Sequence, residues 1–112
     1  MIRIPDGLYY LHGETPPALP CRYEDKEGDL ITSISGATIA AKISIDGATE
    51  ASVSCTNNDD GTFDIDWPTG TSAFALATGV DLGTMRVDIE VDQGGGIVWY
   101  MPRFSLPIKR RT

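Results

Sequence analysis

The residues best suited to nucleophilic chemistry are Cys21 and His12, because a thiol beside an imidazole can act as a nucleophile with its base. His12 is the only histidine of the chain, which excludes HExxH motifs and multi-histidine metal sites. No oxyanion loop of the GxSxG type accompanies the pair. The second cysteine, Cys55, is too distant in sequence for the close spacing of zinc or CxxC motifs. We therefore predict no catalytic residue, no cofactor and no metal. Reduced core cysteines are expected, with a disulfide as the alternative.

Four acidic residues could supply the paired carboxylates that glycoside hydrolases use. They are Asp64, Asp66, Asp88 and Glu90, and each alternates with apolar neighbours. Alternation with a period of two places such side chains on the solvent side of a half-buried strand. The pattern favours solvated strand positions, and a small hydrolase is the alternative.

The acidic segment 57–66 could be taken for a calcium loop. Aligning Gly61 with the glycine at position six of such a loop places Trp67 where a bidentate glutamate is required. Asn, Asp and Gly are also the residues that favour tight turns. The segment therefore predicts a hairpin turn, with a weak calcium site as the alternative.

The aromatic residues could form a platform for sugar binding, since aromatic faces stack on the apolar faces of sugars. The candidates are Trp67, Trp99, Tyr9, Tyr10 and Tyr100. Trp67 shares the phase of Phe63 and Ile65, so burial in a core or an interface is the competing interpretation. Three consecutive glycines at 94–96 are not followed by a helix or a lysine, as a phosphate-binding loop requires, and predict a hairpin tip.

The charge of the chain is strongly acidic except at its last residues. Sixteen Asp and Glu against nine Lys and Arg give a net charge of −7, which argues against nucleic acid or an anionic membrane as partner. Lys109, Arg110 and Arg111 stand within the last four residues. We predict a basic tail over residues 107–112 that contacts an acidic neighbour, or alternatively a frayed end. Neither a signal peptide nor a membrane-spanning stretch is predicted.

Period-two alternation predicts the elements that would position these residues. Ile and Val number 16 against seven Leu, a composition that favours strands. Strands are predicted near residues 19–24, 37–45, 51–56, 62–67, 85–92 and 97–106, with a short strand or arm at 8–11. Pro102 restricts the last strand to an edge or a bulge. Residues 24–29 are predicted to be an exposed loop, and residues 72–78 a short helix at most.

One domain fits a length of 112 residues. Six or seven strands joined by turns predict an all-β, antiparallel β-sandwich, because two half-buried sheets can cover each other's apolar faces. The predicted core consists of Ile39, Ile43, Phe63, Ile65, Val87 and Ile89.

Four segments carry a resemblance to a known family. They are YEDKEGDL at 23–30, SGATI at 35–39, DGTFDIDW at 60–67 and GTMRVDIEV at 83–91. In this order they resemble small bacteriophage immunoglobulin-like domains similar to the N-terminal domain of baseplate upper proteins. The resemblance spans residues 18–106, with residues 1–17 left as an N-terminal arm or edge strand.

The resemblance implies an immunoglobulin-like sandwich of about seven strands in a virion structural protein without catalytic activity. It would be present in many symmetric copies, as a capsid decoration, collar or tail and baseplate adaptor, in particles assembled in the host cytoplasm. Its partners would be other virion proteins, with contacts at Trp99 and Tyr100 besides the three terminal cations. A carbohydrate-binding β-sandwich module is the alternative, and it requires an exposed Trp67 or Trp99.

Overall fold

The fold consists of β-strands joined by turns, in a computed structural model that describes residues 1–11, 16–46, 51–67, 76 and 79–110. The described residues contain nine strands and one short 3₁₀ turn, Thr32–Ile34. The strands are β1 (Ile2–Arg3), β2 (Tyr10–Leu11), β3 (Leu19–Tyr23), β4 (Thr38–Ile45), β5 (Ala51–Asn57), β6 (Thr62–Ile65), β7 (Leu82–Asp92), β8 (Val98–Tyr100) and β9 (Phe104–Lys109). The all-β prediction is confirmed.

The strands form one curled, mixed sheet in the order β1-β3-β6-β5-β4-β7-β9-β2, and β8 also pairs with β7. Every neighbouring pair is antiparallel except β2 and β9, which are parallel. The prediction of a purely antiparallel arrangement of about seven strands is therefore wrong. Parallel pairing needs a long connection, and most of the chain lies between β2 and β9.

Strand β5 changes partner along its length. Its first half pairs with β4, from Ala51 opposite Ile43 to Ser54 opposite Ala40. Its second half, from Cys55 onwards, pairs with β6. The sheet therefore curls at β5, and the inward faces on both sides of this strand contribute to one hydrophobic core.

The core follows the period-two pattern of the sequence. In β7 every second residue from Gly83 to Val91 is buried, while the intervening residues are partly exposed. The six residues predicted for the core are all buried, so this prediction is confirmed: Ile39, Ile43, Phe63, Ile65, Val87 and Ile89. Burial of the apolar faces is the main favourable contribution to folding here.

Two predicted hairpin turns are confirmed, and both depend on positive φ angles. Between β5 and β6, Asp59 has φ 61° and Gly61 has φ 90°. Between β7 and β8, all three residues of the glycine run 94–96 have positive φ. Glycine adopts this region without the steric cost that a Cβ atom brings.

The chain ends differ from the prediction. Strand β9 continues through Pro107 to Lys109, and Ile108 is fully buried, so the predicted tail of residues 107–112 begins inside a strand. Pro107 is tolerated because its nitrogen faces the outer edge of the sheet, where no ladder hydrogen bond from β7 is needed. Within residues 1–17, β1 and β2 are short edge strands. The predicted helix at 72–78 lies outside the described residues, apart from Leu76.

Candidate functional site

The candidate site is the outer side of β8, which is the side that faces away from β7. One side of β8 pairs with β7, with Glu90 opposite Tyr100 and Asp92 opposite Val98. Across the described ranges of the chain, no strand pairs with the other side. Ile97 is 58% exposed, Val98 49% and Tyr100 56%. We call these three residues the β8 surface.

The backbone directions of β8 follow from its hydrogen bonds to β7. The Gln93 N–H donates to the Ile97 carbonyl at 3.0 Å, and the Met101 N–H donates to the Ile89 carbonyl at 2.9 Å. Residues 97, 99 and 101 therefore direct their backbone groups toward β7. Because directions alternate in an antiparallel strand, Val98 directs its N–H and C=O groups away from β7, toward the open edge.

A bulge separates β8 from β9, as Pro102 predicted. Met101 bonds to Ile89, whereas Phe104 lies opposite Val87, so two residues, Pro102 and Arg103, face the single Asp88. Such a bulge bends the strand and redirects a side chain. Here Arg103 forms two hydrogen bonds to Asp88, Nε at 2.8 Å and Nη2 at 2.9 Å.

The charged groups beside the β8 surface are paired with one another. Besides Arg103 with Asp88, Lys42 lies 3.8 Å from Glu90 and donates to the Ser52 hydroxyl at 2.8 Å. Tyr100 contacts the same Glu90 carboxylate through its hydroxyl at 3.1 Å. Two of the four predicted outward acids are thus neutralised on this face.

The other two acids, Asp64 and Asp66, lie on the outward positions that the alternation predicts, and Asp66 accepts a hydrogen bond from the Thr56 hydroxyl at 2.6 Å. In the 57–61 turn, Asp60 accepts from the Thr62 N–H, and Asp59 from the Gly36 N–H at 2.8 Å. These bonds to protein groups stabilise the turn. In the described part of the chain, no group of three or more His, Cys, Asp or Glu residues could hold a metal ion.

The tryptophans are not placed as a sugar platform requires. Trp67 is 7% exposed and donates its indole N–H to the Tyr10 hydroxyl at 3.0 Å, so it is a core residue. Trp99 is half-buried on the inner side of β8 and packs against Tyr23, with 6.0 Å between ring centroids. Tyr100, one residue further, is exposed.

Two of the three predicted interface cations are engaged within the chain. Lys109 lies over the Tyr9 ring, with its ammonium 4.5 Å from the ring centroid. Arg110 donates through Nε to the Val80 carbonyl at 3.0 Å and through its backbone N–H to Asp81 at 2.8 Å. Arg111 lies outside the described residues. Lys109 thus ends β9 and Arg110 is bonded to the segment before β7, and the predicted contact of these two cations with an acidic neighbour stays a prediction.

A groove of about 480 Å³ lies between the segment after β1 and the edge of β9. Its walls include Pro5, Tyr9, Ser105, Pro107 and Lys109. The groove is open to solvent, and its two charged residues, Asp6 and Lys109, have opposite signs. It therefore lacks a set of convergent polar groups that would select one ligand.

Both cysteines have free thiols, and His12, the proposed base for Cys21, lies outside the described residues. Burial raises the pKa of Cys21 and that of Cys55 to about 12. Strand β6 lies between their strands, with Cys21 opposite Phe63 and Cys55 opposite Ile65. Two strand spacings and this two-residue offset keep the two Cα atoms more than about 9 Å apart, too far for a disulfide. These features describe unreactive thiols, one in the core at Cys21 and one partly buried beside it at Cys55.

Sequence reasoning missed Glu24, which was assigned to an exposed loop. Its side chain is 3% exposed and accepts hydrogen bonds from Arg22 Nε at 2.8 Å and Arg3 Nε at 2.6 Å. The bonds from Arg22 and Arg3 lower the pKa of this carboxyl. Alternation places Arg22 and Glu24 on one face, but no local pattern links Glu24 to Arg3, 21 positions earlier.

Comparisons with protein families, with characterised proteins and with solved structures found no match to this chain. Among the residues that the structure describes, no helix has the length and apolar character needed to cross a membrane.

Proposed function

We propose that the chain is a non-enzymatic structural protein of a bacteriophage virion that acts through protein–protein contacts. The observation that carries the proposal is the β8 surface, an exposed apolar strand with an open edge. Such edges are templates for pairing with another chain, and exposed apolar patches mark contact sites. The virion setting comes from the resemblance of residues 18–106 to phage domains, and the position would be a capsid decoration, a collar or a tail and baseplate adaptor.

We further propose an immunoglobulin-like sandwich. Its support is the order of strands on each side of β5: β1-β3-β6-β5 on one side, and β4-β7-β9-β2 on the other. If the nine strands are compared with that fold, β1 and β2 share the role of the first strand, β3 and β6 follow it in one sheet, and β4, β7 and β9 form the second sheet. In that comparison the first strand crosses from one sheet to the other, with β1 beside β3 and β2 beside β9. It would hold the two sheets together at their edges.

A carbohydrate-binding module is less well supported than protein binding. Trp67 is in the core, and Trp99 contacts Tyr23 on its inner face. The aromatic side chain that is exposed at this edge, Tyr100, already contacts Glu90. An open strand edge with apolar side chains instead fits a protein partner, whose backbone can extend the sheet.

Electron-microscopic labelling of particles of the encoding phage tests the proposal. A tagged chain should be found in purified particles at a regular position and in a fixed ratio to the other structural proteins. A matched label on a non-structural phage protein serves as the control. Absence of the chain from purified particles would reject the proposal. Retention on a glycan column without particle incorporation would favour the carbohydrate-binding module.

A further inference from the structure

We infer that the free edge of β8 pairs antiparallel with β8 of a second copy of this chain, around a twofold axis. This inference deepens the proposed function and rests on it for its setting, since copies in one particle would meet through this contact. Half of the six exposed large hydrophobic residues described belong to the β8 surface. The concentration of these residues on one short strand and the residue before it identifies the place of contact.

Several positions along the outer edge formed by β8 and β9 are blocked for strand pairing, and they lie outside β8. Pro102 and Pro107 both occupy outward positions, where proline supplies no N–H donor. Strand β2 covers the edge at Ile108 and Lys109. Residues 97–100 contain no proline and no charge, which are the usual means of protecting an edge strand. This stretch is therefore the part of the edge that can accept another strand.

Pro102 also selects the register. If the twofold axis passes beside Trp99, Val98 of one copy lies opposite Tyr100 of the other, and Pro102 falls opposite Gly96. Gly96 belongs to the turn, with φ 82°, so no ladder hydrogen bond is lost there. An axis at Tyr100 would instead place Pro102 opposite Val98 and remove one of the bonds. The strand is thus complementary to itself in one register.

Local charge does not oppose a second copy at this edge, despite the net charge of −7. Asp88 is paired with Arg103, and Glu90 with Lys42, so the strands next to the contact carry balanced charges. No ion pair of Asp92 is found among the described residues, but this carboxylate accepts the Gly94 N–H at 2.9 Å and lies on the β7 side of Val98, away from the second copy. The remaining repulsion acts over a longer range and is screened by salt.

The patch is too small for a permanent dimer. Stable interfaces bury roughly 1,200–2,000 Å², and one three-residue strand with its neighbours provides less. The contact is therefore weak: in solution it forms a reversible dimer that is populated only at high concentration, and it is strengthened when many copies are held close together.

Sedimentation equilibrium over about a hundredfold range of concentration tests the inference. The wild-type chain should form a reversible dimer whose fraction rises with concentration and with salt. Val98→Lys, which places a charge on the edge, should weaken association at least about tenfold. Ser54→Lys is the matched control, because Ser54 is also an exposed strand position but lies on β5, away from the edge. It should associate like the wild type.

Hydrogen exchange on the wild-type protein provides a test that does not depend on a variant folding. The Val98 amide should exchange more slowly at high concentration than at low concentration. A chain that stays monomeric, that forms species larger than a dimer, or whose Val98→Lys variant associates unchanged would overturn the inference. A monomeric chain found in purified particles overturns this inference alone, whereas absence from particles overturns the proposed function.

Discussion

At the scale of single residues, Glu24 connects the first strand to the rest of the molecule. Its carboxylate binds Arg22 and Arg3, and its backbone N–H donates to the Met1 carbonyl at 2.8 Å. A nearly buried carboxylate is tolerated because both of its oxygens are hydrogen-bonded to cations. The two ion pairs and this backbone hydrogen bond therefore hold β1 on β3, although only two residues of β1 pair with that strand.

This pairing makes stability depend on pH. The pKa of Glu24 in the folded chain lies below its ordinary value of 4.5 because of Arg22 and Arg3. Its contribution is therefore complete above pH 4.5 and is lost as the pH falls through the folded pKa. Urea unfolding should show that the stability difference between wild type and Glu24→Gln shrinks as the solution is acidified. Glu27→Gln, at an exposed position in the same loop, is the control. A difference that does not vary with pH would contradict this account.

Phe63 tests the assignment of the core. Its side chain is fully buried on β6, so Phe63→Ala should lower the free energy of unfolding by ~3–5 kcal/mol through lost burial and the cavity left behind. Thr38→Ala, at an exposed strand position, should change it by less than about 0.5 kcal/mol. Denaturant unfolding measures both. Equal effects would show that the inward and outward faces have been exchanged.

The burial of a residue was predictable where the period-two alternation determines which side of its strand the side chain occupies. The burial of Ile43 and Phe63 follows from a period of two, because one face of each strand must be apolar. The partners of Glu24 and Arg110 were not predictable, because each bond joins segments that are distant in sequence. The β8 surface was predicted only through Tyr100, since whether an apolar run is buried depends on what the fold places against it.

At the scale of elements, the turn between β5 and β6 fixes how the 3₁₀ turn Thr32–Ile34 packs. Asn57 donates to the carbonyls of Ile34 and Ala37, and Asp59 accepts from the Gly36 N–H. Gly61 lies so close to the preceding loop that an added Cβ would be 2.9 Å from the Leu30 Cβ. The turn is thus shaped both by its own sequence and by a close approach of neighbouring backbone.

Two glycine substitutions separate these contributions. Gly28 and Gly61 both have φ near 90°, but a Cβ at Gly28 would meet nothing within 4 Å. Gly28→Ala should cost about 1–2 kcal/mol, from backbone strain alone. Gly61→Ala should cost clearly more, because it adds a steric clash. Thermal and urea unfolding of the two variants give the comparison, and equal losses would show that the loop moves aside freely.

The existence of the strands was easier to predict than their ends and partners. Strands β4 and β7 lie where the alternation predicts them. The extension of β9 to Lys109 and its parallel pairing with β2 were not predictable. A proline normally disfavours a strand, and only the geometry of the edge shows that Pro107 faces away from β7.

At the scale of the whole molecule, the acidic charge decides which partners can approach. A net charge of −7 repels other polyanions, although pairs such as Arg103 with Asp88 neutralise parts of the surface. Two of the predicted terminal cations, Lys109 and Arg110, are held against the chain itself. These two cations therefore do not form a cluster that projects away from the rest of the chain.

The chain should not bind nucleic acid at physiological salt. A polyanion is bound by neutralising its phosphates, and an acidic protein has to overcome repulsion before any contact forms. Gel-shift and fluorescence-anisotropy titrations with duplex and single-stranded DNA should show no binding at about 0.15 M salt. A small basic protein of similar mass is the positive control. Binding that weakens steeply with salt would contradict the prediction, because it would require a cationic surface that neutralises phosphates.

The parallel pairing of β2 with β9 has a mechanical consequence. Because the chain enters β2 and leaves β9 at opposite ends of this ladder, tension applied through these two strands pulls along them in opposite directions. The hydrogen bonds are then loaded in shear and have to break together, whereas in an antiparallel hairpin pulled from its open end they break one after another. The parallel pair of β2 and β9 should therefore resist tension more strongly than an antiparallel hairpin of the same length.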